Sequence, residues 1–428
     1  MTKKIVALSA VVASFVGIDA AFACTTDADC LLLGTCNHGA CRCRQGFTGS
    51  ECGQLDLSPG PNLGYRNLTG NTWGGLPLRI HGTWHMYVSM MAKGCPLGTF
   101  NNNSEVAHLV SSGDWRGPYA YSDTVVPAFA HNAAPHVLRD GSIGVWFIGY
   151  DGAVDLVQCS NGIPPTDDVW PDWSGKQIAL VRSLSGDPKG PWTSPLWIFP
   201  KAPLPAGWSK WDCASTNPSA VVSGAGGSVR MMYRGTECTH CDGCGHPAGA
   251  RENLGIATAG TVSGPYTPAA TFIDLKNASV EDPFYWRGAS GSHHLIAHSS
   301  TVCSGSAGGR NWCGVVASSA DGVTWRLARS AAYGPNVTLA NGTTVELFAR
   351  QRPQLLFAPP APAPPAGESA AKKTTAAPTE RALLGLVNGA MLLADGAGGL
   401  MQRLHSFTLL QPVRPEPAWA VVNIRAAK

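Results

Sequence analysis

The chain has 428 residues with 50 Gly, 32 Pro and 14 Trp, and only 14% of them are charged; this excludes a disordered or fibrous protein and points to turn-rich β structure around a large core. A formal charge of +3, with no Lys/Arg block, offers no single-sign field for phosphates, so nucleic acid is not an expected partner.

The first segment, "MTKKIVALSAVVASFVGIDAAFAC", carries Lys3 and Lys4, an apolar stretch and then Ala21-Phe22-Ala23, the small-x-small pattern that precedes signal cleavage. A signal peptide over 1–23 is expected, with a mature chain that begins at Cys24. No later apolar run approaches the roughly 20 residues that span a bilayer, so the expectation is a secreted, extracellular protein without a membrane partner. The 14 cysteines then argue for disulfides rather than catalytic thiols. Sequons at Asn67, Asn102, Asn277, Asn336 and Asn341 would make the chain a glycoprotein in a eukaryotic host.

Residues 24–52 hold six cysteines spaced C-x5-C-x5-C-x4-C-x-C-x8-C, and so short a segment needs cross-links in place of a core. Spacing alone leaves about fifteen pairings open. The pattern, with its ending "CRCRQGFTGSEC" in which Gly46 and Gly49 supply turn conformations, resembles the EGF-like family. That resemblance implies the disulfides Cys24–Cys36, Cys30–Cys41 and Cys43–Cys52. Calcium-binding members carry acidic ligands before the first cysteine, where the predicted cleavage leaves nothing, so no calcium is expected. The module reads as a spacer or as the contact for a protein partner, since stapled scaffolds of this size lack a reaction pocket. Residues 53–70 read as a linker.

Over 71–412 one unit recurs: a short strand, a Gly-containing turn and an apolar strand ending in a small residue. It is seen in "PLRIHGTWHMYVSM", "PHVLRDGSIGVWFIG", "PSAVVSGAGGSVRMMYRG", "PFYWRGASGSHHLIAHS" and "PQLLF…ALLGLVNGA", beginning at Pro77, Pro135, Pro218, Pro283 and Pro353. Between these hairpins lie "VSSGDWRGPYAYS", "VRSLSGDPKGPWTSP", "ATAGTVSGPYTP" and "ASSADGVTWRL". Four strands per unit in five copies is the signature of an all-β fold, a five-bladed β-propeller. "SFTLLQPV" is expected to supply the last strand and close the ring beside the first blade. The Ala/Pro-rich stretch over 358–380 has no core-forming composition and reads as a surface insertion, and 413–428 as a tail.

Proline suits the first residue of a strand, and the residue before it is pushed into extended backbone. The pre-proline residues Asn217, Asp282 and Arg352 are therefore expected at equivalent corners around one mouth of the channel. In "HNAAPHV" either Asn132 or Ala134 fits that place; Asn132 is preferred because "HN" followed by small residues mirrors "TNPSA". The repeats, together with "GPW", "GPY", "EDPFYW" and "RPQLLF", resemble the five-bladed propellers of glycoside hydrolase family 43 and its relatives, the arabinanases, xylosidases and invertases. The resemblance implies a carbohydrate partner and hydrolysis of glycosidic bonds by carboxylates at the channel mouth, one as general acid and one as general base.

Asp282 is the first catalytic candidate. Its neighbour Glu281 points to the opposite face of a regular strand, and Asp212 lies in an irregular approach to the third hairpin, from which it could swing inward. Asp151 is a further carboxylate, whereas Glu346 reads as part of a solvated loop. Arg352 is expected to pair with Asp282, either as an orienting partner or as a rim salt bridge. Asn132 and Asn217 stand where the family presents aspartates; an amide can hold a sugar hydroxyl but cannot act as a general base.

His131 is a substrate-binding candidate beside His136 and His298, although histidines in β structure are more often packed. Trp286, like Trp73 and Trp146, could stack on a sugar, against the commoner use of tryptophan in packing. "CTHCDGCGH", with Cys238, Cys241 and Cys244 near His240 and His246, has zinc-like spacing, but an oxidising compartment favours disulfides. Cys303 and Cys313 are expected to pair; Cys95, Cys159 and Cys213 are left unassigned. No metal and no cofactor are expected. The leading reading is a glycoside hydrolase at the propeller mouth, and its rival is a non-catalytic extracellular glycan-binding or adhesion protein.

Overall fold

Second and third strands such as "IGVWFIGY" and "CGVVASS" are buried along almost their whole length, as expected of strands covered on both faces by neighbouring sheets. The computed structural model describes residues 22–60, 64–65, 70–160, 162–164, 176–199, 214–224, 226–236, 252–269, 273–275, 278–299, 313–359, 381–393 and 404–414. Asp212, Cys213, the Cys238–Cys244 cluster, Cys303 and most of the Ala/Pro-rich stretch lie outside these residues. So does nearly all of the expected signal peptide.

Five four-stranded antiparallel sheets follow one another and form a five-bladed propeller. Their innermost strands are β1 (Thr72–Ile80), β2 (Ala130–Val137), β3 (Ala214–Ser223), β4 (Val280–Arg287) and β5 (Ala349–Phe357). Apolar clusters fill the gaps between blades: Tyr87, Val106, Val145 and Phe147 between the first two, and Met86, Leu109, Val387 and Leu410 where the fifth meets the first. Burying each such side chain contributes about 1.5–3 kcal/mol.

Closure uses both ends of the domain. Leu404–Pro412 is the third strand of blade five, and Gly64–Tyr65, from the stretch read as a linker, pairs with it as the outermost strand. Chain-terminal closure ties the ends of the sheet array together and leaves no gap in the ring.

The N-terminal module contains the disulfides Cys24–Cys36, Cys30–Cys41 and Cys43–Cys52. It does not stand off as a spacer. Cys30, Leu31, Phe47 and Leu55 share one apolar cluster with Trp286, Ile296, Leu355 and Leu383 of blades four and five. A Cβ on Gly46 would lie 2.8 Å from Leu383 Cδ2, so the turn glycine also permits close docking. Leu55 N donates to Ala332 O at 2.9 Å, and Arg326 reaches Asp29 at 2.6 Å. The Asp29 carboxyl is held well below the usual carboxylate range by hydrogen bonds from Thr25 N, Arg326 and Thr26 N.

Candidate functional site

Every innermost strand contains the same irregularity near its start. Two residues stand opposite one on the neighbouring strand: Gly74–Gly75, Asn132–Ala133, Asn217–Pro218, Asp282–Pro283 and Arg352–Pro353. The first residue of each pair has a positive φ, respectively 61°, 56°, 53°, 55° and 48°. These are β-bulges with a left-handed first residue. The extended backbone expected before proline is therefore absent at Asn217, Asp282 and Arg352, because the bulge dictates the conformation there. Glycine, Asn and Asp tolerate this region; for Arg352 it costs about 1–2 kcal/mol.

The bulges turn Asn132, Asn217, Asp282 and Arg352 toward one another in the channel, as the corner argument expected. Asn132 Nδ2 donates to Asn217 Oδ1 at 2.8 Å and to Asp282 Oδ1 at 3.2 Å. Arg352 N donates to Asp282 Oδ2 at 3.2 Å, and its Nη1 lies 3.5 Å from Asp282 Oδ1. Its Nη2 crosses the channel to the carbonyls of Asn132 at 2.9 Å and Pro218 at 3.1 Å. The four residues are only 1–5% exposed. They form a plug across the channel, in which Arg352 both orients Asp282 and joins blade five to blades two, three and four.

Glu281 is different. Its side chain is 17% exposed, against 6% for that of Asp282, so it is the more accessible carboxylate of "VEDPFYW". The bulge breaks strand alternation, and both carboxylates contact one imidazole: His298 Nε2 is 2.9 Å from Glu281 Oε1 and His298 Nδ1 is 3.4 Å from Asp282 Oδ2. Arg234 Nη1 reaches Glu281 Oε2 from blade three at 3.0 Å. Burial alone would lower the pKa of His298, but the charge of Glu281 and hydrogen bonds to Asp282 and Glu281 outweigh it and push the value up to about 10. His298 is therefore an imidazolium near neutral pH.

Ligand atoms of Glu281, Asp282 and His298 lie within 4.8 Å of one another. Chelation of a cation there would require His298 to give up its proton. The same closeness bears on hydrolysis, since an inverting pair stands roughly 6.5–9.5 Å apart with room for water; here an imidazolium occupies the space between the carboxylates.

His131 sits just before the bulge of β2, with Nδ1 2.7 Å from Ser104 Oγ and its ring against Phe100. Burial, then the charges of Arg352 and Lys176, lowers its pKa to about 3 and keeps it neutral. Trp286 is not at the mouth. It lies at the far end of β4, stacked on Phe47 and His294 beneath the N-terminal module. Trp73 and Trp146 are buried in packing, the former over Gly389, whose missing side chain makes room for it. Asp151 and Glu346 are exposed.

Two rim loops are tied by a disulfide that the sequence left unassigned, Cys95–Cys159. Asn103 reinforces it, donating to Val157 O at 2.9 Å and accepting from Val157 N at 3.1 Å. Cys313 is disulfide-bonded at the start of the third strand of blade four.

No family model and no curated protein matches the sequence. Among solved structures the fold is similar to that of a glycoside hydrolase, with 10% identity over 88% of this chain and 94% of that one and a TM-score of 0.51. A structure described as an RGII complex is similar at 10% identity, 88% and 94% coverage and a TM-score of 0.50. A family 117 glycoside hydrolase of the marine bacterium Zobellia galactanivorans gives 12%, 84%, 90% and 0.49. At these identities the likeness concerns the fold alone: the protein is a five-bladed β-propeller resembling those of glycoside hydrolases, joined to an N-terminal disulfide-rich module.

Proposed function

We propose that this is a secreted carbohydrate-binding protein whose ligand sits over the plugged channel and meets Glu281. The observation that carries this reading is the Glu281 environment, an accessible carboxylate fixed between His298 and Arg234 beside the plug of Asn132, Asn217, Asp282 and Arg352. A carboxylate accepts hydrogen bonds from sugar hydroxyls, and holding it in one rotamer lowers the ordering cost of binding. The N-terminal module, read as EGF-like, acts as a docked brace for blades four and five.

Recognition without hydrolysis fits the described residues. Asn132 and Asn217 cannot take a proton as general bases, Asp282 is locked into the plug, and Glu281 shares its imidazolium with Asp282. The fold likeness to glycoside hydrolases favours a second reading, in which Asp212 completes an acid–base pair with Glu281.

The test uses the full mature chain on an array of neutral and acidic oligosaccharides, followed by calorimetry and a reducing-end release assay on any ligand found. Saturable binding that Glu281→Ala abolishes, without bond cleavage, supports recognition. Cleavage lost in Asp212→Asn with binding retained would establish the hydrolase. Neither binding nor cleavage across the array would sink both readings.

A further inference from the structure

On the face opposite the mouth, two arginines from adjacent blades converge around one histidine. Arg230 lies near the start of the second strand of blade three, and Arg287 ends β4. Arg287 lies five positions along the strand from Asp282, so this place is roughly 16 Å from the plug.

Each guanidinium donates to a backbone carbonyl: Arg230 Nη2 to Gly322 O at 3.1 Å and Arg287 Nη2 to Gly291 O at 2.6 Å. Among the described residues neither has a carboxylate partner, and the buried Nε of Arg230 has no acceptor. His293 is paired opposite Arg287 on the neighbouring strand and meets Arg230 at Gly322. Its Nδ1 is 2.6 Å from the Tyr285 hydroxyl. A Cβ at Gly322 would meet Arg230 Nη2 at 2.8 Å and His293 Nε2 at 3.0 Å. With φ at +78°, that position favours glycine, and the bare backbone lets the guanidinium and the imidazole face the same small space.

The local charge agrees with the geometry. Burial, then Arg287 and Arg230, lowers the pKa of His293 to about 4, with Asp321 opposing. Asp321 is turned to its own loop, where Oδ1 accepts from Ser319 Oγ, Val323 N and Thr324 N, each at 2.8 Å. Two cations therefore flank a neutral imidazole, with donors left over beyond the two carbonyls and the Tyr285 hydroxyl that Arg287 also meets. A guanidinium has about five N–H donors in a planar fork suited to two oxygens at once.

We propose that Arg230, Arg287 and His293 form a binding site for a sulfate or phosphate oxyanion, separate from the mouth. Charge-assisted bonds from two forks are the chemistry that selects such a group over a neutral sugar. The anion is either free or an ester carried on a glycan.

Calorimetric titration of the full mature chain at constant ionic strength tests this, with inorganic sulfate, inorganic phosphate and a sulfated monosaccharide as probes. Saturable binding is expected, weakened about tenfold or more in Arg230→Gln and in Arg287→Gln. Thermal melts of both variants establish that they remain folded; Arg287 is exposed and its substitution is the safer of the two. Tighter binding of the sulfated sugar assigns the group to a glycan, and tighter binding of an inorganic probe assigns it to the free anion. No saturable heat from any probe, or affinities unchanged in both variants, overturns the site.

Discussion

A side chain at Gly74 would begin 2.8 Å from Cγ of Arg352, so the bulge of blade one is bare because the arginine from blade five fills its share of the channel. The plug is thus asymmetric by necessity. Four bulges contribute side chains, and the fifth contributes space through which Arg352 reaches Asn132 O and Pro218 O.

Gly74→Ala should therefore destabilise the fold by at least about 2 kcal/mol, combining left-handed strain with overpacking. In an Arg352→Ala background the overpacking disappears and only the backbone strain remains. Urea denaturation of the two single variants and the double variant measures this coupling. Additive losses would contradict the packing relationship.

His298 makes the fold sensitive to alkali. Its pKa is about 10 in the folded chain, against an ordinary 6.5. Below pH 6.5 both folded and unfolded chains hold the proton, and the stabilisation is fully present. Between 6.5 and about 10 only the folded chain holds it, so folding takes up a proton and stability falls with each step in pH. His298→Gln should be less stable than the wild type at pH 6, with a gap that narrows toward pH 10. Denaturation midpoints across that range provide the measurement, and a gap independent of pH would show that the imidazolium is not what holds Glu281 and Asp282.

Much of this arrangement was legible in the sequence, and the bulge explains both its success and its errors. The second bulge position is unpaired, so it accepts proline at 218, 283 and 353. That is why the pre-proline residues marked three of the five corners. In the first two blades the same position holds Gly75 and Ala133, and the hairpin prolines, Pro77 and Pro135, come two residues later. The proline signal therefore overlooked Gly74 and left Asn132 to be chosen by analogy. Strand alternation separated Glu281 from Asp282 because periodicity does not reveal a bulge. Arg234 and His298 end equivalent second strands, in "MMYRG" and "IAHS"; that alignment was available, but their shared target, Glu281, emerges only when blades three and four pack together. Gly64–Tyr65 is too short for a periodic signal.

Trp286, expected to stack on a sugar, instead supports the N-terminal module, and this gives a test of docking. Trp286→Ala removes a side chain that is 8% exposed and packed on Phe47, and such core truncations cost about 3–5 kcal/mol. The module should then become cleavable by protease while glycan binding at the mouth persists once the chain is folded. Loss of the more exposed contact between Asp29 and Arg326 should matter much less, as surface pairs are screened by water. Equal protease resistance in wild type and Trp286→Ala would show that the module is held by other contacts.

Cys95–Cys159 joins the rim loops of blades one and two across a separation of 64 residues. Cross-links that close loops of this length contribute about 2–4 kcal/mol, chiefly by restricting the unfolded chain. Here the bond also fixes a wall of the mouth, because Asn103 and Val157 exchange two hydrogen bonds beside it. A Cys95→Ser, Cys159→Ser double variant should therefore lose stability and, where it remains folded, bind its glycan more weakly while keeping the His298 pH response. The separation of effects follows from position: the loops shape the entrance, whereas His298, Glu281 and Asp282 belong to blade four. Calorimetry and a pH series on the same variant would measure both, and unchanged affinity would show that the ligand does not touch this wall.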